Sequence, residues 1–487
     1  MDKNTVSINK KMLEKQKVIE LSDDIIVPDT KPDIVSITVT NANSYIYKED
    51  LADGKYRFDG NVDAHIVYLS DNGETKCIQT TLDFMDMIED SIINEKMTTK
   101  YRIELVNVEA KVLNERKVSV SVKLKICFSF FECKEIEYID NLESISGVEK
   151  LQESVSLNTI VAENKVKSSL KEEIACIDDE EIAEILRTEV TVENIENKIS
   201  YNKVLSKADV CVKLLYLGTE SNVKSTSVSF PIMNFIDMEK VTDEDNCDID
   251  YKIRNMNFKN NLKNIGCQID FEIGCEVWNV KQIEIIKDMY GIGKNITFTQ
   301  KSIEVQTNEP SAKEKVTLNE NVLVEDIRGI YDVDCRANIL NKTSNGNLTN
   351  YEGEVCIQIY FDNGNSLAVK NTKFPFISKM NCDSDDVEVN FVSKHFKLNN
   401  EDVVCDVEME LSPNSSNYRE IKIIEDIEEE ECEIPNDYAM VVYFVKKGDT
   451  VWNIARDFKV PMDSIIKVNN LQDANKINVG EKLYIMR

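Results

Sequence analysis

Three stretches of apolar–polar alternation recur in the same order at domain-sized intervals, and this repetition constrains the fold of the 487-residue chain more than any other feature. The first, YRFDGNVDAHIVYLSDNG, runs from Tyr56 to Gly73, the second, YNKVLSKADVCVKLLYLG, from Tyr201 to Gly218, and the third, NYEGEVCIQIYFDNG, from Asn350 to Gly364. Aligned on Tyr68, Tyr216 and Tyr360, the copies lie 148 and 144 residues apart, with a displacement of the third by one position left open. A Phe follows each of them: Phe84, Phe230 and Phe374. Each copy closes with two alternating segments around a polar turn, the pattern of a β-hairpin. In the first of these, Val118, Val120, Val122, Leu124 and Ile126 alternate with Ser119, Ser121, Lys123 and Lys125. Such spacing puts one face on a core and the other in water, as in half-buried antiparallel strands.

The expected fold class is mainly β: tandem antiparallel β-rich domains, sandwich-like or barrel-like, followed by a small α+β module. The boundaries are expected at 1–145, 146–300 and 301–424 for three β-domains, with an acidic linker at 425–437 and the module at 438–487. The segment EDIEEEECE, Glu425 to Glu433, has seven acidic residues in nine, and like-charge repulsion with the following Pro435 favours an extended, solvated connector. The interior stretch with the most helical pattern is Ile177–Leu186, where Ile182, Ile185 and Leu186 fit either a short amphipathic helix or a connecting segment.

Charge and motifs exclude several functions. The formal charge is −30, from 88 Asp and Glu against 58 Lys and Arg, so nucleic acid and anionic lipid surfaces are unfavourable partners. The opening MDKNTVSINKKMLEKQKVIE lacks the apolar core of a secretory signal, and no run reaches the roughly 18 apolar residues of a membrane-spanning helix. An intracellular protein without direct membrane insertion is expected. Thirteen Cys without a CxxC pair, and only two His, read as reduced thiols, with no metal site and no cofactor. His65 and His395 sit in strand-like segments and are read as structural. GIGKNIT, Gly291–Thr297, lacks the spacing and the hydroxyl of a phosphate-binding loop and reads as a turn, and neither HExxH nor GxSxG occurs. No catalytic residues are assigned, and the chain is read as not an enzyme.

The last 47 residues differ in composition. Val441–Arg487 carries eight Lys and Arg against five Asp and Glu, or +3, which leaves −33 on the rest. Its pattern reads strand, helix, helix, strand. Val441–Val445 alternates, Asp449 or Thr450 can cap a helix over Val451–Phe458, Pro461 and Asp463 open a second helix, and Leu483 and Ile485 belong to a closing strand. Through Tyr443, Gly448, Asp449, Thr450, Trp452, Ile454, Ala455, Phe458, Asn469, Gly480 and Leu483, among others, this module resembles the LysM domain family. The resemblance implies a shallow groove that binds N-acetylglucosamine-containing glycans. By position it would be lined by Gly448, Asp449 and Thr450 on one side and by Leu471, Ile477 and Asn478 on the other, with Trp452 as a further contact. The plainer reading gives Gly448 and Thr450 turn and capping roles, and leaves Trp452, Leu471 and Ile477 to fill a small core.

LSDDIIVPDTKPDIVSITV, Leu21–Val39, holds the chain extended ahead of Pro28 and Pro32. It resembles the opening of the SPOCS domain, and the three β-rich copies look like SPOCS-type repeats. Repeats of this kind ending in a LysM domain resemble the SipL-type family of spore coat morphogenetic proteins. That resemblance implies a non-enzymatic scaffold in the mother-cell cytoplasm at the outer forespore surface. Its partners would be the coat basal-layer ATPase, recruited and retained through the LysM domain, and other coat proteins. Binding to an N-acetylglucosamine polymer is the alternative.

Overall fold

The structure is a computed structural model, and it describes residues 3–142, 145–175, 181–219, 222–306, 313–345, 348–364, 366–381, 387–413, 418–431, 439–473 and 476–486. The chain folds as a mainly antiparallel β protein with a small α+β module at its C-terminal end. The first six strands are β1 (Lys3–Ile26), β2 (Ile34–Ala52), β3 (Lys55–Ser70), β4 (Thr75–Glu89), β5 (Thr98–Asn114) and β6 (Lys117–Ile139). They form two sheets, the meander β2-β3-β4 and the split sheet β1-β6-β5, in which the first strand returns to pair with the last. The alternation read from β6 is realised: Val118, Val120, Val122, Leu124, Ile126, Phe128 and Phe130 are buried against Tyr56, Phe58 and Val62 of β3.

The same order recurs twice. Strands β7 (Val148–Ala175), β8 (Ile182–Ser200), β9 (Lys203–Gly218), β10 (Val223–Asp237), β11 (Asn246–Asn261) and β12 (Asn264–Gly291) give the sheets β8-β9-β10 and β7-β12-β11. The third unit contains β13 (Lys294–Gln306), β14 (Glu314–Leu323), β15 (Gly329–Asn345), β16 (Leu348–Asp362), β17 (Leu367–Met380), β18 (Val387–Asn399), β19 (Asp402–Pro413) and β20 (Tyr418–Glu431). Its meander is β15-β16-β17, and its ribbon is seen as two pairs, β14-β19 and β13-β20, on either side of 307–312 and 414–417, which lie outside the described residues. The ribbons of the first two units carry a bulge, between Lys11 and Leu13 and between Val277 and Trp278. A bulge bends a strand pair and raises its twist.

Glycine fixes the correspondence between copies. A Cβ on Gly60 would lie 2.2 Å from the Phe84 ring and 2.6 Å from the Tyr45 carbonyl, and one on Gly353 would lie 2.4 Å from Phe376 and 2.5 Å from the Asn338 carbonyl. In the second unit the paired residues are Ala208 and Ile232, a small side chain opposite a narrower one. In this register Tyr68 and Tyr216 correspond to Phe361, and Tyr360 takes the place of Val67 and Leu215, so the third copy is displaced by one residue. The counterparts of Phe84 are Ile232 and Phe376, whereas Phe230 and Phe374 correspond to Leu82.

The units close into a ring. The last meander strand of each lies against the first of the next: β4 against β8, β10 against β15, and β17 against β2. Equivalent positions meet at the centre, where Val39, Val67, Leu215, Leu217 and Tyr360 form one buried cluster. The outer halves of the three ribbons meet in a second, where Val6, Ile136, Val155, Ile283, Val305 and Ile421 are packed together. The central positions have diverged. Opposite Val67, Leu215 and Tyr360 stand Val39, Arg187 and Asp332. Arg187 is 4% exposed; it bonds Asp332, pairs with Glu189 at 2.7 Å and lies 5.1 Å from the centre of the Tyr360 ring.

Two readings of the sequence change. Ile182–Leu186 opens strand β8, because Ile182 and Ile185 pack into the core of the second unit and Leu186 into the central cluster, and not together on one helical face; residues 176–180 lie outside the described residues. The acidic run from Glu425 to Glu431 is the second half of β20, not a solvated linker. Ile421, Ile423, Ile424 and Ile427 are buried while Glu425, Asp426, Glu428, Glu429 and Glu430 are exposed, so apolar burial on one face outweighs repulsion among screened charges on the other. The rest of that expected linker, 432–437, lies outside the described residues. The third unit therefore begins at β13, ahead of the expected boundary at 301, and extends beyond 424.

Candidate binding site

The C-terminal module is βααβ: β21 (Met440–Phe444), α1 (Val451–Phe458), α2 (Met462–Val468) and β22 (Lys482–Met486), with β21 antiparallel to β22. Thr450 caps α1, its hydroxyl accepting from the Asn453 N–H at 3.1 Å, and Lys459 ends the helix in the left-handed region at φ 53°. The Asp449 carboxylate accepts from the Lys446 N–H at 2.8 Å and from the Tyr443 hydroxyl at 2.7 Å, and the Lys446 bond in the turn holds its pKa below the usual value. Gly448 has φ +92°, a conformation that disfavours any residue with a Cβ. Val451, Ile454, Ala455, Ile465, Leu483 and Ile485 make the core, with Leu471 and Ile477 half-buried against it.

The two sides of the expected groove are brought together. The Gly480 N–H donates to the Val445 carbonyl at 2.8 Å and the Val445 N–H donates to that of Glu481 at 2.9 Å, which sets the turn 478–481 beside the turn 446–450. Gly448, Thr450 and Asn478 are exposed on this rim, and Asp449 is half-exposed. Of the seven residues singled out, Trp452 stands apart.

Trp452 is only 8% exposed, and it faces the ring of β-units. Its indole Nε1 donates to the Asp288 carboxylate at 2.8 Å, Arg456 donates to the same oxygen at 2.7 Å, and the Tyr290 ring meets the indole edge-on with centres 5.0 Å apart. The Tyr290 hydroxyl donates to the Val460 carbonyl at 2.9 Å, and Lys459 bonds Asn295. A bulge in β12 provides the seat. Ile286 pairs with Gln152 and Asp288 with Leu151, so Lys287 is the extra residue. Inserting one residue shifts the alternation by one, which puts Asp288 and Tyr290 on the side of the module. Asp288, Tyr290, Arg456 and Asn295 were not foreseen from the sequence. The signal present was the Asp at 288 recurring 148 residues after Asp140, which marks a repeated connector without pointing to a contact.

Burial pushes the His65 pKa down to about 4, keeping it neutral. Among the described residues no group of His, Cys, Asp and Glu is arranged to hold a metal ion. Burial raises the thiols of Cys267 and Cys275 to about 12, and both lie in β12 as small apolar side chains. Among the described residues no helix is long and apolar enough to cross a membrane. GIGKNIT contains the turn between β12 and β13, at Ile292 and Gly293 with Gly293 at φ +75°, and its Lys294–Thr297 are already β13.

Comparison with protein families gives two matches. The LysM domain matches residues 443–485, and the SipL, SPOCS domain matches residues 181–261, which run from the start of β8 to the end of β11. No curated protein and no solved structure matches the chain. SPOCS and LysM are non-catalytic binding or scaffold domains. Residues 181–261 of this chain match a SipL-type SPOCS domain and residues 443–485 a LysM domain, a combination that fits a sporulation coat-related protein with a LysM binding module.

Proposed function

We propose that the chain is a non-enzymatic spore coat morphogenetic scaffold that recruits and retains the coat basal-layer ATPase at the outer forespore surface, on the mother-cell side. The LysM module is its protein-binding part, and the β-ring is available to other coat proteins. The observation that carries this reading is the pairing of a SipL-type SPOCS domain with a LysM module seated on the ring through Asp288, Trp452 and Tyr290. A module held at several points is presented in one orientation, which lowers the ordering cost of engaging a large partner.

Calorimetric titration of the full chain with the ATPase, and separately with N-acetylglucosamine oligomers, tests it. Saturable heat with the ATPase, together with mislocalised coat on deletion of Val441–Arg487, is the expected result. The open rim of Gly448, Thr450 and Asn478 favours a second reading, a tether to an N-acetylglucosamine polymer. Heat with the oligomers and none with the ATPase would select that reading and discard the first.

A further inference from the structure

The module's two helices cover only one face of its two-stranded sheet. Alternation leaves Met440, Val442 and Phe444 of β21 and Tyr484 and Met486 of β22 on the other face, 51%, 41%, 60%, 37% and 46% exposed. Pairing of Met440 with Met486 and of Val442 with Tyr484 makes these side chains one continuous patch. The seat on the ring uses α1 and the turn after it, so the sheet face is free of the body. Contiguous exposed apolar surface of this kind marks an interaction site more often than a solvated face.

The two edges of the sheet differ. That of β22 is closed by Asn469, whose side-chain oxygen accepts from the Tyr484 N–H at 2.7 Å and whose amide donates to the Tyr484 carbonyl at 2.7 Å. Along β21, among the described residues, no hydrogen bond beyond the pairing with β22 reaches the backbone of Met440–Phe444. An open edge beside an apolar face is the arrangement that accepts an added strand, with main-chain bonds giving affinity and alternate side chains giving selectivity. The rim is basic. Lys446 and Lys447 are exposed beyond the end of β21, and Lys482 pairs opposite Phe444 with its ammonium 4.6 Å from the centre of the Tyr484 ring.

We infer that the outer face and open edge of β21 are the protein-docking surface of the module, separate from the rim of Gly448, Thr450 and Asn478. The occupant is an extended segment of the protein partner, with apolar side chains at alternate positions and carboxylates flanking them. This rests on the functional reading above, with the ATPase as the partner. Charge complementarity selects the carboxylates, since the basic rim interrupts the acidic surface of a chain that is otherwise −33.

The test titrates three full-length chains with the coat basal-layer ATPase: the wild type, Val442→Lys/Phe444→Lys on the sheet face, and Asn478→Arg on the groove rim. With all three chains made in a Trp278→Phe background, emission of Trp452, packed against Tyr290, reports that the module remains folded and seated. The expected result is binding at least tenfold weaker for the sheet-face variant and within twofold of wild type for the rim variant. Salt should weaken the wild-type complex further. If wild type binds and the sheet-face variant binds equally well, this inference is overturned and the functional reading stands. If wild type does not bind the ATPase, the functional reading is overturned and this occupant with it.

Discussion

Replacing Asp288 by Ala should release the LysM module from the ring without unfolding either. The carboxylate receives two hydrogen bonds, from the Trp452 indole at 2.8 Å and from Arg456 at 2.7 Å. With Trp452 8% exposed, its N–H would lose its partner in a place water scarcely reaches, at a cost of about 1–3 kcal/mol. Arg456 has a side chain 42% exposed and recovers most of its solvation, so the ion pair adds roughly 0–1 kcal/mol. Together these give about 1–4 kcal/mol, or roughly 5- to 700-fold in the docking equilibrium, since 1.4 kcal/mol is a factor of about ten. Hydrogen exchange read by mass spectrometry would follow α1 and the end of β12. Exchange should accelerate in both segments, while the ring core at Val118–Phe130 stays protected. Asp288→Asn, which keeps an acceptor for the indole, should fall between wild type and Asp288→Ala. Unchanged exchange at α1 in Asp288→Ala would refute the argument that this carboxylate holds the module.

Gly60→Ala should destabilise the first unit by about 1–3 kcal/mol through overpacking, and Phe84→Ile in the same chain should restore part of the loss, as the Ala208 and Ile232 pair of the second unit suggests; chemical denaturation checks both. Arg187→Met should cost about 3 kcal/mol or more, because Asp332, Asp334 and Glu189 would keep buried charge without its cation, read as a lowered midpoint in the same experiment. The Asp334 carboxyl, although burial alone would raise it, is held below the usual value by Arg336 and Arg187. Its contribution should therefore be complete above the ordinary carboxylate range near pH ~4 and be lost as the pH falls through the lowered value, a loss that Arg187→Met should reduce in an acid titration. Among the Cys of the described residues, iodoacetamide should label the exposed Cys133 first at neutral pH, with Cys267, Cys275 and the buried Cys405, raised to about 11, reacting only after unfolding; mass spectrometry of the digest gives the order.

Strand content and the small module were legible because both rest on local spacing. The period of two along Val118–Ile126 and the stripe of Val451, Ile454, Ala455 and Phe458 carry their burial in the sequence itself. Contacts between distant segments were not legible. Trp452 has the same neighbours in sequence whether it faces solvent, a ligand or Asp288, and only the bulge at Lys287 decides the last. The acidic run at Glu425–Glu431 read as solvated because charge dominates its composition, yet Ile424 and Ile427 have a place to pack once β13 lies alongside. Ile182, Ile185 and Leu186 fitted a helical face equally well, since three apolar residues in five cannot separate the two periods. The one-residue shift of Tyr360 became visible through Gly353, whose close approach to Phe376 sets the register.

Closing the three units into one ring within a single polypeptide has a consequence for how the protein can vary. A ring of identical subunits must satisfy the same contact three times, and it dissociates when diluted. Here the covalent connections hold the units at a high effective concentration, so assembly is independent of how many copies the cell contains. Freed from symmetry, each seam can take its own chemistry, as Val39, Arg187 and Asp332 do at one equivalent position. Each outer surface can likewise answer to a different neighbour, and one end of the ring, at Asp288 and Tyr290, has been given over to carrying a foreign module.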